Sequence, residues 1–252
     1  MIEGECYYQD KAIKYKRYKF SSNAKLVKGE MPDFFNLIKK YADKNFVVLD
    51  LGCGSGELAL EMSSCFKEII GIDPIKRYIK TAEEDKKTME VKNVSFVVAS
   101  GEELPFANNK FDLIISSRGP LSSNFNFFKE AKRVLKPEGF LIEETIGESD
   151  KIELKKIFKR GQNYPPVDTK SNQIKEILKK ENFEILYNKD YVYYQNYSSM
   201  KRVIITLGRA PIIPDFDFDK DSEKLKIVKD KLFTKKGIIL STHRLHWVAI
   251  KN

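Results

Sequence analysis

Phe46-Val47-Val48-Leu49-Asp50-Leu51-Gly52-Cys53-Gly54-Ser55-Gly56 decides the fold. Its first half is a short apolar, β-branched run of the kind that forms a buried strand, and a glycine cluster then ends it. Helical spacing follows at once, with Leu58, Met62 and Cys65 on one face. The alternation repeats downstream. Glu68-Ile69-Ile70-Gly71-Ile72-Asp73 reads as a second strand, and Pro74 suits the first turn of the next helix. Val94–Ala99 reads as a third strand, Phe111–Ser116 as a fourth and Gly139–Thr145 as a fifth. Between the last two, Phe127, Phe128, Ala131, Val134 and Leu135 line a helix face that stops at Lys136-Pro137. Near-continuous apolar strands interleaved with amphipathic helices predict a parallel sheet covered on both faces. That is a doubly wound, Rossmann-like α/β domain.

The flanks complete the expectation. Phe34, Leu37, Ile38 and Tyr41 predict a helix before the first strand, and Ile174, Ile177 and Leu178 predict another late in the chain. Phe183–Tyr187 with Tyr191–Tyr194, and then Ile238–Ile250, supply the last strands. The segment from about 198 to 237 carries two amphipathic stretches, Met200–Leu207 and one through Leu225, Val228 and Leu232, and reads as an insertion on the sheet edge. The expected architecture is therefore one domain over 1–252. It has a mainly parallel seven-stranded sheet, an N-terminal helical arm (1–45), a core (46–146) and a C-terminal part (147–252) with a cap-like insertion before the last strand.

Composition narrows the class. With 252 residues, 42% of them hydrophobic, the chain can bury a sizeable core and is not disordered. Nothing approaches the roughly 18 uninterrupted apolar residues of a membrane helix, and the N-terminus lacks a secretory pattern. The three cysteines, Cys6, Cys53 and Cys65, have no metal-ligand spacing, so a reducing cytoplasm and no bound metal are expected. The net charge of +9 comes from 37 Lys and 8 Arg against 36 acidic residues. Its location matters more than its total: residues 1–10 carry −3, 11–28 carry +7, 29–150 carry −5 and 151–252 carry +10. The predicted core is mildly acidic, and the excess sits at the two ends.

A glycine-rich turn between strand and helix lets a ligand approach the backbone at the positive end of the helix dipole. The dinucleotide fingerprint needs a third small residue after Gly52-x-Gly54-x-x, and Glu57 stands there. A carboxylate beside a pyrophosphate repels it, which disfavours NAD and FAD. The triphosphatase loop is absent too.

The phrase Val48–Gly56 resembles the signature of class I S-adenosylmethionine-dependent methyltransferases, and spaced companions extend the resemblance to the quinone-biosynthesis-like group. Asp73 matches the acidic residue that accepts hydrogen bonds from both ribose hydroxyls; the alternative is that it caps the helix after Pro74. Ser100-Gly101-Glu102-Glu103-Leu104-Pro105-Phe106 resembles the loop flanking the adenine, with Ser100 where the family often has Asp. That shifts the implied contact to Gly101 and Glu102. Phe111–Ser117 matches the strand whose end floors the methyl-donor pocket, and Glu130–Gly139 matches the following helix and turn. The resemblance thus implies S-adenosyl-L-methionine as cofactor, with S-adenosyl-L-homocysteine as product. Its implied binding residues are Asp50, Gly52, Cys53, Gly54, Gly56, Asp73, Pro74, Gly101, Glu102 and Ser117. Asp50 would steady the turn or reach the methionine ammonium, and Cys53 is a small loop residue, not a nucleophile.

The acceptor is open at this stage. Ser117-Arg118-Gly119-Pro120 is not the motif of amino-methylating nucleic-acid enzymes, and no Pro-Cys pair exists for attack on cytosine. Arg118 either fixes an acidic substrate group or pairs with a surface carboxylate. In the arm, Tyr7, Tyr8, Tyr15 and Tyr18 alternate with cations, a pattern that serves base stacking or, as favoured here, a lid over the site. His243 and His246 lack an evident acidic partner in the sequence; His243 and Arg244 join the acceptor-pocket candidates because their strand borders the insertion. A small-molecule acceptor is expected; RNA methylation and a non-catalytic cofactor-binding role are the alternatives. No catalytic residue is assigned.

Overall fold

The computed structural model describes residues 24–119, 125–166, 168–208 and 210–252. The chain runs through β1 (Lys25–Lys28), α1 (Phe34–Lys39), β2 (Val47–Leu51), α2 (Glu57–Glu61), a short 3-10 turn (Ser63–Cys65), β3 (Glu68–Asp73), α3 (Lys76–Thr88) and β4 (Val94–Val98). It continues through β5 (Phe111–Ser117), α4 (Phe125–Val134), β6 (Leu135–Ile146), α5 (Ile152–Phe158) and α6 (Lys170–Lys180). The last elements are β7 (Phe183–Tyr197), α7 (Met200–Leu207), α8 (Ser222–Leu232) and β8 (Ile238–Lys251).

All strands join one sheet in the order β1-β7-β8-β6-β5-β2-β3-β4. Five of them, β4, β3, β2, β5 and β6, are parallel. β8 is antiparallel to both β6 and β7, and β1 is antiparallel to β7. From β2 the chain winds outward to β3 and β4, then returns to β5 on the opposite side of β2. A crevice opens at such a reversal, beyond the carboxyl ends of the strands. Both the glycine turn after β2 and the Ser117–Gly119 turn after β5 lie at this point.

Two features correct the expected architecture. The sheet is mixed, because β8 runs antiparallel to β6 and β7, and it has eight strands, because Lys25–Lys28 forms an edge strand where a helical arm was expected. All four of its side chains are exposed, so it carries no burial pattern, and backbone pairing to Tyr194–Asn196 holds it. β7 runs as the one expected strand, unbroken through Asn188, Lys189 and Asp190, which pair with Trp247, His246 and Leu245. Pro74 precedes α3 instead of entering it, with Ile75 as N-cap.

Apolar side chains cover both faces of the sheet. On one, Phe128, Ala131 and Val134 of α4 and Ile174 and Leu178 of α6 pack on Leu49, Ile72, Ile114, Leu141 and Trp247. On the other, Phe34, Leu37 and Ile38 of α1, with residues of α2 and α3, pack on Val48, Ile69, Leu113, Ile142 and Val248. Burying one such side chain fully contributes about 1.5–3 kcal/mol, so these layers fix where the strand ends point. A third cluster joins Leu154 and Phe158 of α5, Val203 and Leu207 of α7, and Leu225 and Val228 of α8 to Tyr197, Ile238 and Leu240. The insertion thus has its own apolar packing against the free ends of β7 and β8.

Candidate active site

At the glycine turn, three residues adopt left-handed backbone: Gly52 (φ 78°), Gly54 (φ 54°) and Gly56 (φ 79°). They serve different ends. A Cβ on Gly56 would lie 2.5 Å from the Phe96 ring and 2.9 Å from the Ala82 Cβ, whereas a Cβ on Gly54 would meet nothing within 4 Å. Gly56 is needed for packing at the start of α2, and Gly54 presents a bare backbone to open space. The turn's own N–H groups are largely engaged. Those of Gly52 and Cys53 both donate to the Ile72 carbonyl at 2.9 Å, and that of Gly54 donates to Asp73 Oδ2 at 3.1 Å. Asp73 Oδ1 accepts from the Ile75 N–H at 2.9 Å. Asp73 therefore ties the glycine turn to the end of β3, with α3 capped by Ile75 and not by Asp73.

Asp50 lies beneath this turn and is almost entirely buried, and its Oδ2 has no hydrogen-bond partner. Burial first, then the nearby Asp73 carboxylate, push its pKa up to about 7. The same burial and both aspartates push the Cys53 thiol up. A thiol held protonated is a poor nucleophile.

The loop after β4 is clamped by α4. Glu130 accepts from the Leu104 N–H at 2.7 Å. Arg133 donates to the carbonyls of Leu104 and Phe106, at 2.9 and 2.7 Å, and pairs with Glu130 at 2.7 Å. Gly101 is buried against Phe127, whose ring would lie 2.7 Å from any Cβ there, while Glu102 is exposed on the loop beside it. Glu130 and Arg133 are i, i+3 on one helix face. The sequence showed that spacing, and only the structure showed what it holds.

Across the switch point, Ser116 Oγ donates to the Leu51 carbonyl at 3.0 Å, and a Cβ on Gly119 would sit 2.6 Å from that same oxygen. The Ser117–Gly119 turn therefore leans on the glycine turn. It also reaches β6: the Arg118 N–H donates to the Glu144 carbonyl at 2.7 Å, and Arg118 Nε stands 3.4 Å from Glu144 Oε1. Arg118 thus pairs with a carboxylate that is mostly buried, not with a surface one. Ser117 Oγ donates to the same Oε1 at 3.5 Å. Glu144 Oε2 is 3.0 Å from His246 Nε2, so His246 has the acidic partner that its sequence neighbourhood concealed. Hydrogen bonding to His246, with Arg118 and Arg244 nearby, holds Glu144 below the usual carboxylate range against the cost of its burial.

Further along β8, Arg244 donates to Asp150 Oδ1 at 2.7 Å, and Lys151 Nζ donates to Thr242 Oγ1 at 2.6 Å. Lys151 and Arg244 hold Asp150 down at about 2 despite complete burial. His243 stands apart from Glu144. Its Nδ1 accepts from the Ser149 N–H at 3.3 Å, Gly147 packs on its ring, and Asp190 is 3.9 Å from Nε2. Burial pulls its pKa down.

The fold thus brings Asp50, Gly52, Cys53, Gly54, Gly56, Asp73 and Pro74 to one end of β2 and β3, Gly101 and Glu102 to the neighbouring loop, and Ser117 and Arg118 to the turn beside them. Arg244 pairs with Asp150, to which the His243 N–H also donates at 3.2 Å, while the His243 ring faces Ser149 and Asp190. Tyr7, Tyr8, Tyr15 and Tyr18 lie outside the described residues. Glu144, Asp150 and the Glu130–Arg133 clamp are additions from the structure. No group of three or more metal-type ligands occurs among the described residues, and no helix there is long and apolar enough to cross a membrane.

A family model described as a methyltransferase domain matches residues 42–194. The chain belongs to this family. An uncharacterized methyltransferase, YcgJ of Bacillus subtilis, is 31% identical over 142 residues, 53% of this chain and 56% of YcgJ. Its crystal structure superposes with a TM-score of 0.65 at 20% identity, covering 87% of this chain and 98% of that one. The ubiquinone/menaquinone biosynthesis C-methyltransferase UbiE of Rickettsia prowazekii is 33% identical over 113 residues, 40% of this chain and 45% of UbiE. The match spans about half the length of these curated relatives. The cyclase SpnF shares the fold, with a TM-score of 0.57 at 19% identity over 86% of this chain and 78% of that one.

Membership of a methyltransferase family implies S-adenosylmethionine, and the residues present fit it. A buried carboxylate oxygen without a partner at Asp50 calls for a cationic group. Gly54 leaves room for close approach, and Asp73, fixed by two backbone N–H groups, keeps lone pairs for ribose hydroxyls.

Proposed function

We propose that this methyltransferase-family protein transfers a methyl group from S-adenosylmethionine to a small-molecule acceptor. When bound, the donor supplies an electrophilic methyl on a sulfonium; the chain's task is to bind it at the glycine turn and to align an acceptor behind the methyl, where orientation can contribute several kcal/mol. Asp50, Gly52–Gly56 and Asp73 would hold the donor's amino-acid and ribose parts, the Gly101–Glu102 loop its adenine, and Ser117 the floor beside the methyl.

What supports a small acceptor is the state of the cations on the acceptor side. Arg244 and Lys151 are buried and paired with Asp150, and Arg118 is paired with Glu144. An RNA-binding surface instead displays its cations to phosphates. The insertion helices also pack over the sheet end as a compact unit. Incubation with methyl-tritiated S-adenosylmethionine, against a small-molecule cell extract in one arm and bulk tRNA in the other, tests this. Label is expected in the small-molecule fraction; label in tRNA alone would overturn the reading.

A further inference from the structure

Glu144 occupies a position that the cofactor does not account for. It lies on β6 in register with Ser117 of β5 and His246 of β8, so the three form one row across the carboxyl end of the sheet. Its two oxygens differ. Oε2 is tied to His246 at 3.0 Å, whereas Oε1 has only long contacts, 3.4 Å to Arg118 and 3.5 Å to Ser117. Exposure differs in the same sense. The side chains of Arg118 and Glu144 remain 34% and 13% exposed, and that of His246 is 1% exposed. The imidazole is closed in by the rings of Phe34 and Tyr191, 5.2 and 5.0 Å away. The loosely held oxygen, Oε1, is therefore on the side of the Arg118 turn, which touches the glycine loop, and His246 is on the other side.

We propose that Glu144 Oε1 receives the proton of a hydroxyl acceptor during methylation, with His246 as the residue that positions the carboxylate. This rests on the small-molecule reading above. Arg118, 34% exposed and 3.4 Å from Oε1, stands at the same opening, where a cation stabilises an oxyanion and disfavours an ammonium. The acceptor class is thus an acidic hydroxyl, a phenol or an enol, not an amine. The acceptor's O–H bond breaks and the proton goes to Oε1. The oxygen lone pair forms the new C–O bond as the S–CH3 bond breaks, its electron pair staying on sulfur as a thioether. Glu144 then returns the proton to water.

The test uses the full chain and a panel of phenols and enols, with matched primary amines and thiols. Methyl transfer is followed by tritium, and S-adenosylhomocysteine affinity serves as the control for the cofactor site. Methyl ethers are expected. Glu144→Gln should lower kcat by about 10²–10⁴-fold with S-adenosylhomocysteine affinity unchanged. His246→Asn, which keeps an N–H donor toward Oε2, should retain most of kcat, whereas His246→Ala should lose it about as Glu144→Gln does, with S-adenosylhomocysteine affinity unchanged in both. Methylation confined to amines or thiols, an unaltered kcat in Glu144→Gln, or equal kcat in His246→Asn and His246→Ala would overturn the proposal. Absence of transfer to every compound, with S-adenosylhomocysteine still bound, would overturn it together with the small-molecule reading. Failure of the wild type to bind S-adenosylhomocysteine would instead refute the cofactor site.

Discussion

Two fully buried aspartates, one on each side of the switch point, are shifted in opposite directions. Asp50 under the glycine turn has an unpartnered oxygen and a pKa raised to about 7. Asp150 beside β8 is held at about 2 by Lys151 and Arg244. Among the described residues Asp50 has no counter-ion, whereas Asp150 has Lys151 and Arg244. The difference teaches that burial alone raises a carboxylate's pKa and that only built-in cations reverse it.

The largest expected effect lies on the self-completed side. Asp150→Ala leaves Arg244 and Lys151 buried without their carboxylate and should cost about 3–5 kcal/mol of stability, read by urea denaturation. Unaltered stability would break the comparison. Next comes Asp50→Asn. Because the folded pKa lies above the unfolded 3.8, ionised Asp50 destabilises the fold as pH rises from about 4 to 7. The Asn variant should therefore be more stable than wild type by about 2–4 kcal/mol at pH 8, and equal to it near pH 4. Asp150 has the reverse sign: its contribution is present above about pH 4 and is lost as pH falls toward 2. A stability gain in Asp50→Asn that does not grow with pH would count against an unpaired carboxylate.

Smaller effects separate the glycines. Gly56→Ala forces a Cβ into Phe96 and Ala82 at a left-handed φ, and should cost about 2–3 kcal/mol. Gly54→Ala meets open space and should cost about 1 kcal/mol, yet weaken S-adenosylhomocysteine binding at least tenfold. Equal thermal stability of the two variants would remove the distinction between a packing glycine and a ligand-facing one.

The same contrast explains what the sequence disclosed. The five parallel strands and the turn after β2 were legible because each is contiguous: a strand of Val, Leu and Ile followed by glycines carries its signal within a dozen residues. The Glu144–His246 pair joins residues 102 apart, and Arg244–Asp150 residues 94 apart, so register alone creates them. β1 escaped for another reason: its four residues are exposed, and its place is set by backbone pairing that no side-chain pattern encodes. Asp73 ends β3 as its place in the sequence implied, but its hydrogen bond from the Gly54 N–H depends on how the turn folds back.

The central claim is that the glycine turn with Asp73 holds the methyl donor. Calorimetric titration of S-adenosylhomocysteine into the wild type and Asp73→Ala tests it most directly. A single site is expected in the wild type and affinity at least 100-fold weaker in the variant; no binding by the wild type, or full binding by Asp73→Ala, would contradict this role of the turn.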